Sequence, residues 1–405
     1  MAKFTFINRF FWPDTSATSQ LLSDLAFELS SQGHQVTLIT SRHLYQHNRQ
    51  ALALHESYRG VEILRVLSTN FGRGHRVGRL VDYLTFYIST LATVLLQVGS
   101  DQVVIAKTDP PLLSIPLALI AMLKRFRFIN WIQDLFPEVA ISAGVPALDG
   151  ALGRWLLRWR DWSLLQAQEN VVIGREMEIL LRTRGAPAKS LRIIWNWSPE
   201  IEVPMRENGL RTEWGLSNRF VVMYSGNLGE AHDHTTILGA MAELSHEPDI
   251  FFLFVGGGKK LDILRCEAEQ RGLHNILLKP LQPRELLAES LAVGDLHLVS
   301  LRPRFDGQIV PSKYYGILNA ARPMVFIGSE TNEIAREIRR EGIGASVRQG
   351  DVDGLVAAIR DSKDDPALRA RQGAAGRRLF ETAYTREASL KAWVCLLERT
   401  AQLAS

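Results

Sequence analysis

The sequence has little cysteine: Cys266 and Cys395 are the only two among 405 residues, and neither belongs to a Cys-x-x-Cys pair. A disulfide-stapled domain needs a denser set of cysteines, and a structural zinc site needs clustered thiolate or imidazole ligands. We therefore expect neither a disulfide framework nor a structural zinc site. A protein of this kind is expected in a reducing cytoplasm.

A signal peptide and an uninterrupted membrane span are also missing from the sequence. The first residues, MAKFTFINRFFWPD, lack the charged segment, apolar stretch and small-residue cleavage site of a secreted protein. The longest apolar runs cover residues 80–98 and 110–123, but the first contains Asp82 and the second opens with two prolines. We expect neither run to span a bilayer, which takes about 20 consecutive apolar residues.

Net charge is small as well, at +4 with a pI near 9.1, and 46% of the residues are hydrophobic. This composition is typical of a globular protein. Mild basicity suits a nucleotide, a phosphate group or an anionic membrane surface, and it does not choose among them. No feature points to a nucleic-acid partner, and none is expected.

The order of apolar runs indicates an α/β fold with two doubly wound, Rossmann-like domains. Short strand-like runs such as FTFINRF and QVTLIT alternate with helix-like segments in the first half, and the pattern starts again at RFVVMYSG. We predict an N-terminal domain over 1–200, a linker over 201–218 and a C-terminal domain over 219–380. A last helix, within 381–405, is expected to pack toward the first domain. Two such domains would face each other across a cleft, with ligands beyond the carboxyl ends of the strands.

The segment VPSKYYGILNAARP, residues 310–323, follows one strand-like run and precedes another. Pro311 suits the first turn of a helix, and free N–H groups near Ser312 and Lys313 would attract an anion. Arg302 and Arg304, in the preceding loop, would add positive charge. The segment is therefore a candidate phosphate site, and the alternative is an ordinary capped helix with solvated basic residues.

Two glycine-containing turns also follow strand-like runs in the second half. Gly226 and Gly229 lie in YSGNLGEAHDH, and Gly256 lies in VGGGKK. Glycine allows the backbone to approach a phosphate or a sugar closely, although neither turn has the GxGxxG spacing. The alternative is a tight strand-to-helix connection.

The first half offers polar side chains at the ends of two strand-like runs. Arg9 and Asp14 follow the first strand, and Ser16 is a candidate helix cap in the same loop. Asp134 and Glu138, in WIQDLFPE, are candidates for acid–base chemistry or for binding sugar hydroxyls. The alternatives are an ordinary capped loop, a helix-start aspartate and a solvated glutamate.

Aromatic and basic residues are mixed in three segments of the first half, at 73–88, 123–128 and 153–162. In the last segment Trp155, Trp159 and Trp162 fall on one helical face with arginines beside them. Such a stripe is typical of a helix at a membrane interface. A tryptophan-rich core face is the alternative, and the presence of three such segments favours membrane contact.

The chain resembles glycosyltransferase family 4, within its bacterial exopolysaccharide and O-antigen branch. Five stretches in the same order carry the resemblance: FFWPDTSATSQLLSDLAFELSSQGHQVTLIT, QDLFPE, IIWNW, YSGNLG and VPSKYYGILNAARPMVFIG. The resemblance implies a GT-B fold whose C-terminal domain binds a nucleotide diphosphate sugar and whose N-terminal domain receives the acceptor. It also implies that Ser312 and Lys313 lie at the diphosphate and that loop 306–316 meets the sugar and ribose.

The chain departs from the family pattern at several positions. Gln308 and Gly316 stand where the Glu-x7-Glu pattern has its two glutamates, and Asp306 is the nearest carboxylate. Asn227 and His232 stand near the positions of the usual arginine and lysine after the first strand of the second domain. We interpret these differences as a subfamily variation in which Lys313 or the nearby arginines replace the usual phosphate clamp.

These considerations give three sets of predicted site residues and no metal ligands. The predicted catalytic residues are Lys313, Asp134 and Asp306. The predicted donor-binding residues are Gly226, Asn227, Gly229, His232, Gly256, Arg302, Arg304, Gln308, Val310, Pro311, Ser312, Tyr314 and Gly316. The predicted acceptor-side residues are Arg9, Trp12, Asp14, Thr15, Ser16 and Glu138.

The resemblance therefore implies a retaining hexosyltransferase that uses a UDP- or GDP-sugar and a lipid-linked saccharide acceptor. No cofactor or obligatory metal is expected, because no Asp-x-Asp motif follows a suitable strand. A peripheral position on the inner face of the plasma membrane is expected. The alternatives are a GT-B nucleotide-sugar epimerase and a non-catalytic nucleotide-sugar-binding or scaffolding subunit.

Overall fold

The computed structural model describes residues 1–44, 51–71, 76–199, 201 and 208–402, and it divides the chain into two compact units. Unit 1 comprises residues 1–195, 308–310 and 387–405, and unit 2 comprises residues 196–307 and 311–386. Residues 202–207 of the predicted linker and the last three residues of the predicted terminal helix lie outside the described residues.

Unit 1 is built on an eight-stranded sheet in the order β3-β4-β2-β1-β5-β6-β7-β8. All neighbours pair in parallel except β3, which is antiparallel to β4. Its strands are β1 Lys3–Ile7, β2 Gln35–Ser41, β3 His55–Tyr58, β4 Val61–Val66, β5 Gln102–Lys107, β6 Arg127–Trp131, β7 Glu169–Val172 and β8 Leu191–Ile193. The central strands are nearly continuous apolar runs, as expected where helices cover both faces of a parallel sheet.

Seven helices accompany this sheet among the described residues. They are α1 Ala17–Ser31, α2 Arg76–Gln97, α3 Ser114–Lys124, α4 Glu138–Ser142, α5 Ala151–Gln166, α6 Arg175–Thr183 and α15 Arg386–Gln402. From Glu387 onward, α15 groups with unit 1. Trp393 of α15 is fully buried, and its ring packs against that of Trp131 with centroids 4.5 Å apart. Aromatic packing therefore fastens this C-terminal helix to the end of β6.

Helix α2 differs from the sequence-based expectation that no segment is long and apolar enough to cross a membrane. Residues Val77–Gln97 form one such helix by length and composition, although only part of it is buried. The interrupting Asp82 is 1% exposed and accepts hydrogen bonds from Thr69 Oγ1 at 2.8 Å and from the Phe71 N–H. Because its charge is paired inside unit 1, Asp82 does not break the helix.

Unit 1 exposes an apolar surface on α2, α3 and α5, which we call the apolar helix surface. Helix α3 packs against both α2 and α5. The exposed side chains are Val77, Leu80, Leu84, Ile88, Leu95 and Leu96 on α2, Leu119, Met122 and Leu123 on α3, and Leu152, Trp155, Trp159 and Leu165 on α5. Soluble monomers rarely expose so many large apolar side chains on adjacent elements, so this surface indicates an interaction.

Unit 2 is built on a six-stranded, fully parallel sheet in the order β11-β10-β9-β12-β13-β14. Its strands are β9 Phe220–Asn227, β10 Ile250–Gly257, β11 Ile276–Lys279, β12 Leu296–Ser300, β13 Met324–Gly328 and β14 Gly344–Arg348. Its helices are α7 Gly209–Glu213, α8 Thr235–Glu243, α9 Lys259–Gln270, α10 Leu287–Ala292, α11 Lys313–Asn319, α12 Glu333–Glu341, α13 Val352–Asp364 and α14 Pro366–Ala383. The core lies between strands and helices, with Phe252, Phe254 and Ile327 almost fully buried.

Both units are therefore Rossmann-like α/β layers, and the predicted fold class is confirmed. In both units, neighbouring parallel strands present their carboxyl ends at the same edge of the sheet, which is where ligands bind in such folds.

Candidate active site

In unit 2, two glycines meet at the carboxyl ends of β9 and β10. Gly226 and Gly256 are register partners, and both have positive φ, at 109° and 138°. A side chain at Gly256 would clash with the carbonyl oxygen of Gly226. The close approach of β9 and β10 is thus by itself a reason for glycine in these predicted turns. The same bare backbone leaves space beside Gly226, where the nearest side-chain atom is the Lys313 Cε.

Lys313 is the first residue of α11 and the most distinctive cation in this part of unit 2. It is half-buried, and its Nζ lies 3.7 Å from the centroid of the Tyr224 ring while donating a hydrogen bond to the Tyr224 hydroxyl. Burial lowers the pKa of Lys313 well below its ordinary value. Among the described residues no carboxylate pairs with this amine, which lies in a position where an anion would stabilise its charged form.

His232 stands close to this lysine in a neutral form. Its Nδ1 lies 2.6 Å from the carbonyl oxygen of Ser300. Burial and the positive charge of Lys313 lower the pKa of His232 to about 3, and the Ser300 carbonyl opposes the shift. Because a carbonyl only accepts, Nδ1 carries the proton and Nε2 remains an acceptor. His232 thus does not supply the positive charge that a lysine would supply at its position.

The helix start differs in detail from the prediction. Helix α11 begins at Lys313, two residues after Pro311, and Ser312 is its N-cap without a side-chain capping hydrogen bond. Ser312 is exposed while Pro311 is buried. The predicted placement of Pro311 in the first turn was therefore wrong. Helix α11 has only seven residues, so the charge of Lys313 matters more here than the helix dipole.

Three further cations surround Glu230 in the turn after β9. Lys260 Nζ, Arg302 Nη1 and Arg304 Nη2 lie 3.4, 3.7 and 3.9 Å from the same oxygen, Glu230 Oε1. Arg302 and Arg304 were predicted from the sequence, whereas Lys260 and Glu230 were not. Their only sequence signal is that they follow the carboxyl ends of β10 and β9 within a few residues.

Other predicted site residues of unit 2, the catalytic candidate Asp306 among them, lie in packed environments. Asp306 accepts a hydrogen bond from Asn332 Nδ2 at 2.8 Å, and burial is the main cause that raises its pKa. The Tyr314 hydroxyl donates to Glu337 at 2.6 Å within the core. Gly316 lies inside α11, where an added side chain would contact Leu291. These three side-chain positions are explained by packing, and their predicted roles stay predictions. Asn227 is the last residue of β9, and Gly229 lies in the turn that follows.

Gln308 and Val310 group with unit 1. The Gln308 Nε2 donates to Ser142 Oγ at 2.9 Å, and the backbone oxygen of Gln308 accepts from the Leu135 N–H at 2.9 Å. Val310 packs at the edge of an apolar cluster that includes Leu135. Both residues therefore have structural contacts that their sequence position between donor-loop residues did not suggest.

In unit 1, Asp134 lies just beyond the carboxyl end of β6. It borders a small pocket together with Lys107 and Asn130, and water reaches its side chain. The protein atoms around it still desolvate the carboxylate, which is the main cause that raises the pKa of Asp134 to about 6. Asp109 adds to this shift and Lys107 opposes it. A carboxylate with such a pKa is suited to proton transfer near neutral pH.

Lys107 is a functional candidate that sequence reasoning missed. It is the last residue of β5, is 2% exposed, and its Nζ donates to the Thr18 carbonyl oxygen at 2.6 Å. The same Nζ lies 4.0 Å from the centroid of the Trp131 ring. Burial lowers the pKa of Lys107 well below its ordinary value. The signal that could have found it is a lysine closing the apolar run QVVIA.

Glu138 has a different environment from either sequence-based interpretation. Its carboxylate accepts a hydrogen bond from Arg160 Nη2 and lies 3.6 Å from Arg184 Nε. Its side chain is only 11% exposed, so the alternative of a solvated glutamate was wrong. Paired with two arginines, Glu138 is a structural anion at the start of α4, and its predicted acceptor-side role stays a prediction.

The loop after β1 is held by several internal contacts. Arg9 lies 3.8 Å from Asp82 and over the Tyr83 ring, and the Trp12 ring stacks on Tyr58 at 3.8 Å. Asp14 is buried and accepts from the backbone N–H of Ser16 at 2.8 Å, while Thr15 is exposed. Ser16 is the N-cap residue of α1, but its hydroxyl forms no capping hydrogen bond, so Asp14 orders this loop instead.

No group of three or more histidine, cysteine, aspartate and glutamate side chains that could hold a metal ion occurs in the described part of the chain.

Comparison with known proteins identifies a glycosyl transferase 4-like domain over residues 18–197. The probable glycosyltransferase WbjE of Pseudomonas aeruginosa is 30% identical, and the match spans 64% of this chain and 65% of that protein. The putative colanic acid biosynthesis glycosyl transferase WcaI of Escherichia coli is 26% identical over 86% of this chain and 89% of its own length. The chain thus matches slightly less than two thirds of WbjE and most of WcaI.

Two solved structures have a similar fold. Sucrose-phosphate synthase from Thermosynechococcus elongatus aligns over the whole of both chains, with 15% identity and a TM-score of 0.77. HepE from Anabaena, solved in complex with UDP-glucose, aligns over 98% of this chain and 100% of its own, with 14% identity and a TM-score of 0.73. At such low identity the likeness shows the fold alone. The chain therefore carries a glycosyl transferase 4-like domain within a GT-B fold, and its resemblance to glycosyltransferase family 4 is confirmed.

Proposed function

We propose that this protein is a retaining hexosyltransferase of the family 4 type, acting in the synthesis of a bacterial surface polysaccharide. Its donor is a UDP- or GDP-sugar, and its acceptor is a hydroxyl of a lipid-linked saccharide. The observation that carries the proposal is Lys313, whose amine lies beside the glycine turn of Gly226 and pairs with no carboxylate of the described residues. The UDP-glucose complex of HepE, a protein of the same fold, supports a nucleotide sugar as the donor.

Donor cleavage requires stabilisation of the charge that develops on the leaving diphosphate. As the bond between sugar C1 and the phosphate oxygen breaks, Lys313 would donate to that oxygen as a cation, the form that an anion favours. Diphosphate binding would raise the lysine's lowered pKa and favour uptake of a proton. Half-burial strengthens this interaction, since fewer water molecules screen it.

Retention without a side chain assigned as a nucleophile at C1 favours attack by the acceptor oxygen on the face from which the diphosphate leaves. The bond from C1 to the acceptor oxygen forms as the bond from C1 to the phosphate oxygen breaks, so no covalent sugar–protein intermediate forms, and the acceptor proton passes to Asp134. In unit 1, Asp134 is the proposed group that orients the acceptor hydroxyl and assists its deprotonation. Its raised pKa and its position at the end of β6 support this role.

We propose that the apolar helix surface binds the inner leaflet of the plasma membrane, where a lipid-linked acceptor resides. The exposed cations Arg79, Arg125, Arg154 and Arg158 lie on or beside its helices. The only acids in the described parts of α2, α3 and α5 are Asp82, which is buried, and Asp161, which pairs with Arg184 at 2.6 Å. Apolar side chains with uncompensated arginines suit an anionic lipid surface.

Substitution of Leu84 by glutamate is expected to weaken membrane binding at least about tenfold, because burying a leucine side chain contributes about 1.5–3 kcal/mol. The measurement is co-flotation with vesicles containing phosphatidylglycerol. Leu281 is a matched control, since it is 55% exposed against 56% for Leu84 but lies in unit 2. Equal binding of wild type and Leu84→Glu, or equal losses in Leu84→Glu and Leu281→Glu, would contradict the proposed surface.

The proposed activity is tested by sugar transfer from labelled UDP- and GDP-sugars to lipid extracted from a polysaccharide-producing bacterium. We expect labelled glycolipid with one donor class and retained anomeric configuration. Epimerised free nucleotide sugar without labelled lipid would favour the epimerase alternative. Nucleotide binding without turnover of any donor would favour a non-catalytic subunit.

A further inference from the structure

The cluster around Glu230 has an unusual geometry for a set of ion pairs. Lys260, at the start of α9, and Arg302 and Arg304, in the loop after β12, approach one carboxylate oxygen at 3.4, 3.7 and 3.9 Å. All three distances exceed the 2.7–3.2 Å typical of a hydrogen bond from nitrogen to oxygen. The cations therefore surround a single point in space without closing tightly on the group that occupies it.

The backbone of two of these residues is anchored to the turn that carries Glu230. The Lys260 N–H donates to the Leu228 carbonyl oxygen at 3.0 Å, and the Arg302 N–H donates to the Ala231 carbonyl oxygen at 2.9 Å. These bonds keep the stems of both side chains beside the turn without using the Glu230 carboxylate. The Glu230 side chain is 37% exposed and has room to leave.

The positive charges of this cluster affect the pKa of a neighbouring histidine, His234. Burial, followed by Lys260 and more weakly by Arg302, lowers the pKa of His234, although Glu267 and Asp233 oppose the shift. His234 therefore stays neutral near pH 7 and does not repel the cations around it.

We propose that Lys260, Arg302 and Arg304 form an anion subsite in which the Glu230 carboxylate takes the place of a ligand phosphate while the site is empty. The ligand is a phosphate group of a nucleoside diphosphate, which brings more charge and more acceptor oxygens than a carboxylate. The inference deepens the proposed function and rests on it. Glu230, Lys260 and the two arginines follow the carboxyl ends of β9, β10 and β12, where ligands bind in such folds. It also explains why Asn227 and His232 can stand where the family usually has an arginine and a lysine, because other residues supply the phosphate-binding cations.

An ordinary surface ion-pair cluster would behave differently. Exposed ion pairs contribute little to stability, and removing one partner changes ligand affinity only if the ligand uses the same cations. Under the subsite proposal, Glu230 competes with the ligand for three cations. Its charge must then oppose binding.

The test is the affinity of UDP, GDP and inorganic pyrophosphate for wild type, Glu230→Gln and Lys260→Gln, measured by calorimetry at low and high salt. Glu230→Gln keeps the size of the side chain and removes its charge. We expect this variant to bind pyrophosphate and the cognate nucleotide about five- to tenfold more tightly at low salt, with a smaller gain at high salt because ions screen the repulsion. Lys260→Gln is expected to weaken binding by a similar factor. Glu341→Gln is the control, since Glu341 is 35% exposed and pairs with Arg340 on α12.

Unchanged or weaker affinity in Glu230→Gln, with a wild type that binds, would overturn the subsite. Weaker binding would show instead that Glu230 accepts hydrogen bonds from the ligand. If no nucleotide binds to the wild type, the proposed function fails. Pyrophosphate then tests the subsite by itself, and failure of pyrophosphate to bind to Glu230→Gln would overturn it. Melting temperatures of all variants separate these outcomes from misfolding.

Discussion

Replacing Lys313 by methionine is expected to lower kcat/KM for sugar transfer about 10²–10³-fold, the usual effect of removing one group that stabilises a developing oxyanion. Methionine preserves the apolar stem that packs against Tyr224 and removes the amine. The neutral His232 does not replace the lost charge, because its pKa lies near 3. The measurement is steady-state transfer with the donor that supports activity.

The stability of the Lys313→Met variant separates a catalytic loss from a folding defect. A folded-state pKa below the unfolded value means that the native protein binds fewer protons, so the wild type gains stability as the pH rises toward about 10. At pH 7 the charged form is disfavoured in the fold, and methionine should leave the melting temperature unchanged or raised. The exposed Lys391 provides the control, since Lys391→Met should retain activity. A Lys313→Met variant with wild-type kcat/KM would remove this residue from the mechanism.

Asp134→Asn is expected to reduce kcat about 10²-fold or more, the range found for groups that transfer a proton. In the wild type, kcat/KM should fall with decreasing pH below about 6, where the carboxylate becomes protonated. The variant should lack this acidic limb over the same range. The exposed Asp149, also in unit 1, is the control residue, and Asp149→Asn should keep both the rate and the pH profile.

The same substitution should stabilise the fold at alkaline pH. Because the pKa of Asp134 is raised to about 6, the folded protein binds more protons than the unfolded chain between about pH 4 and pH 6. Stability therefore decreases as the pH rises through this window. We expect Asp134→Asn to melt at a higher temperature than wild type at pH 8, and the difference to vanish at pH 4. Loss of activity together with lower stability at pH 8 would indicate damage to the structure rather than to a proton-transfer group.

Much of the fold was predictable because buried parallel strands are apolar runs. The segments QVTLIT and RFVVMYSG both form strands close to their predicted positions. Two strands were missed for physical reasons. The edge strand β14, GASVR, has partly exposed side chains and few apolar residues, and β3, HESY, alternates between exposed and half-exposed positions. In helix α2 the apparent interruption at Asp82 has no effect, because Asp82 is buried among hydrogen-bond donors that the sequence does not display.

The candidate site was less predictable than the fold, because its contacts join residues that are distant in sequence. The local motif was enough to identify Lys313 as a candidate, but its contact with the Tyr224 ring joins residues 89 positions apart. Glu230 and Lys260 meet only because β9 and β10 are neighbours in the sheet. Conversely, Glu138 belongs to a motif of the family resemblance, yet its arginine partners on other elements make it a buried structural anion.

The most direct test of a nucleotide-sugar site at Lys313 is the melting temperature of the purified protein with UDP, GDP, ADP and CDP, repeated with Lys313→Met. A ligand at 100 times its dissociation constant adds about 2.7 kcal/mol to the free energy of unfolding. We expect one nucleotide to raise the melting temperature of the wild type, and the shift to disappear in the variant. A folded wild type that responds to none of the four nucleotides, or a shift that Lys313→Met leaves intact, would contradict the assignment of the donor site.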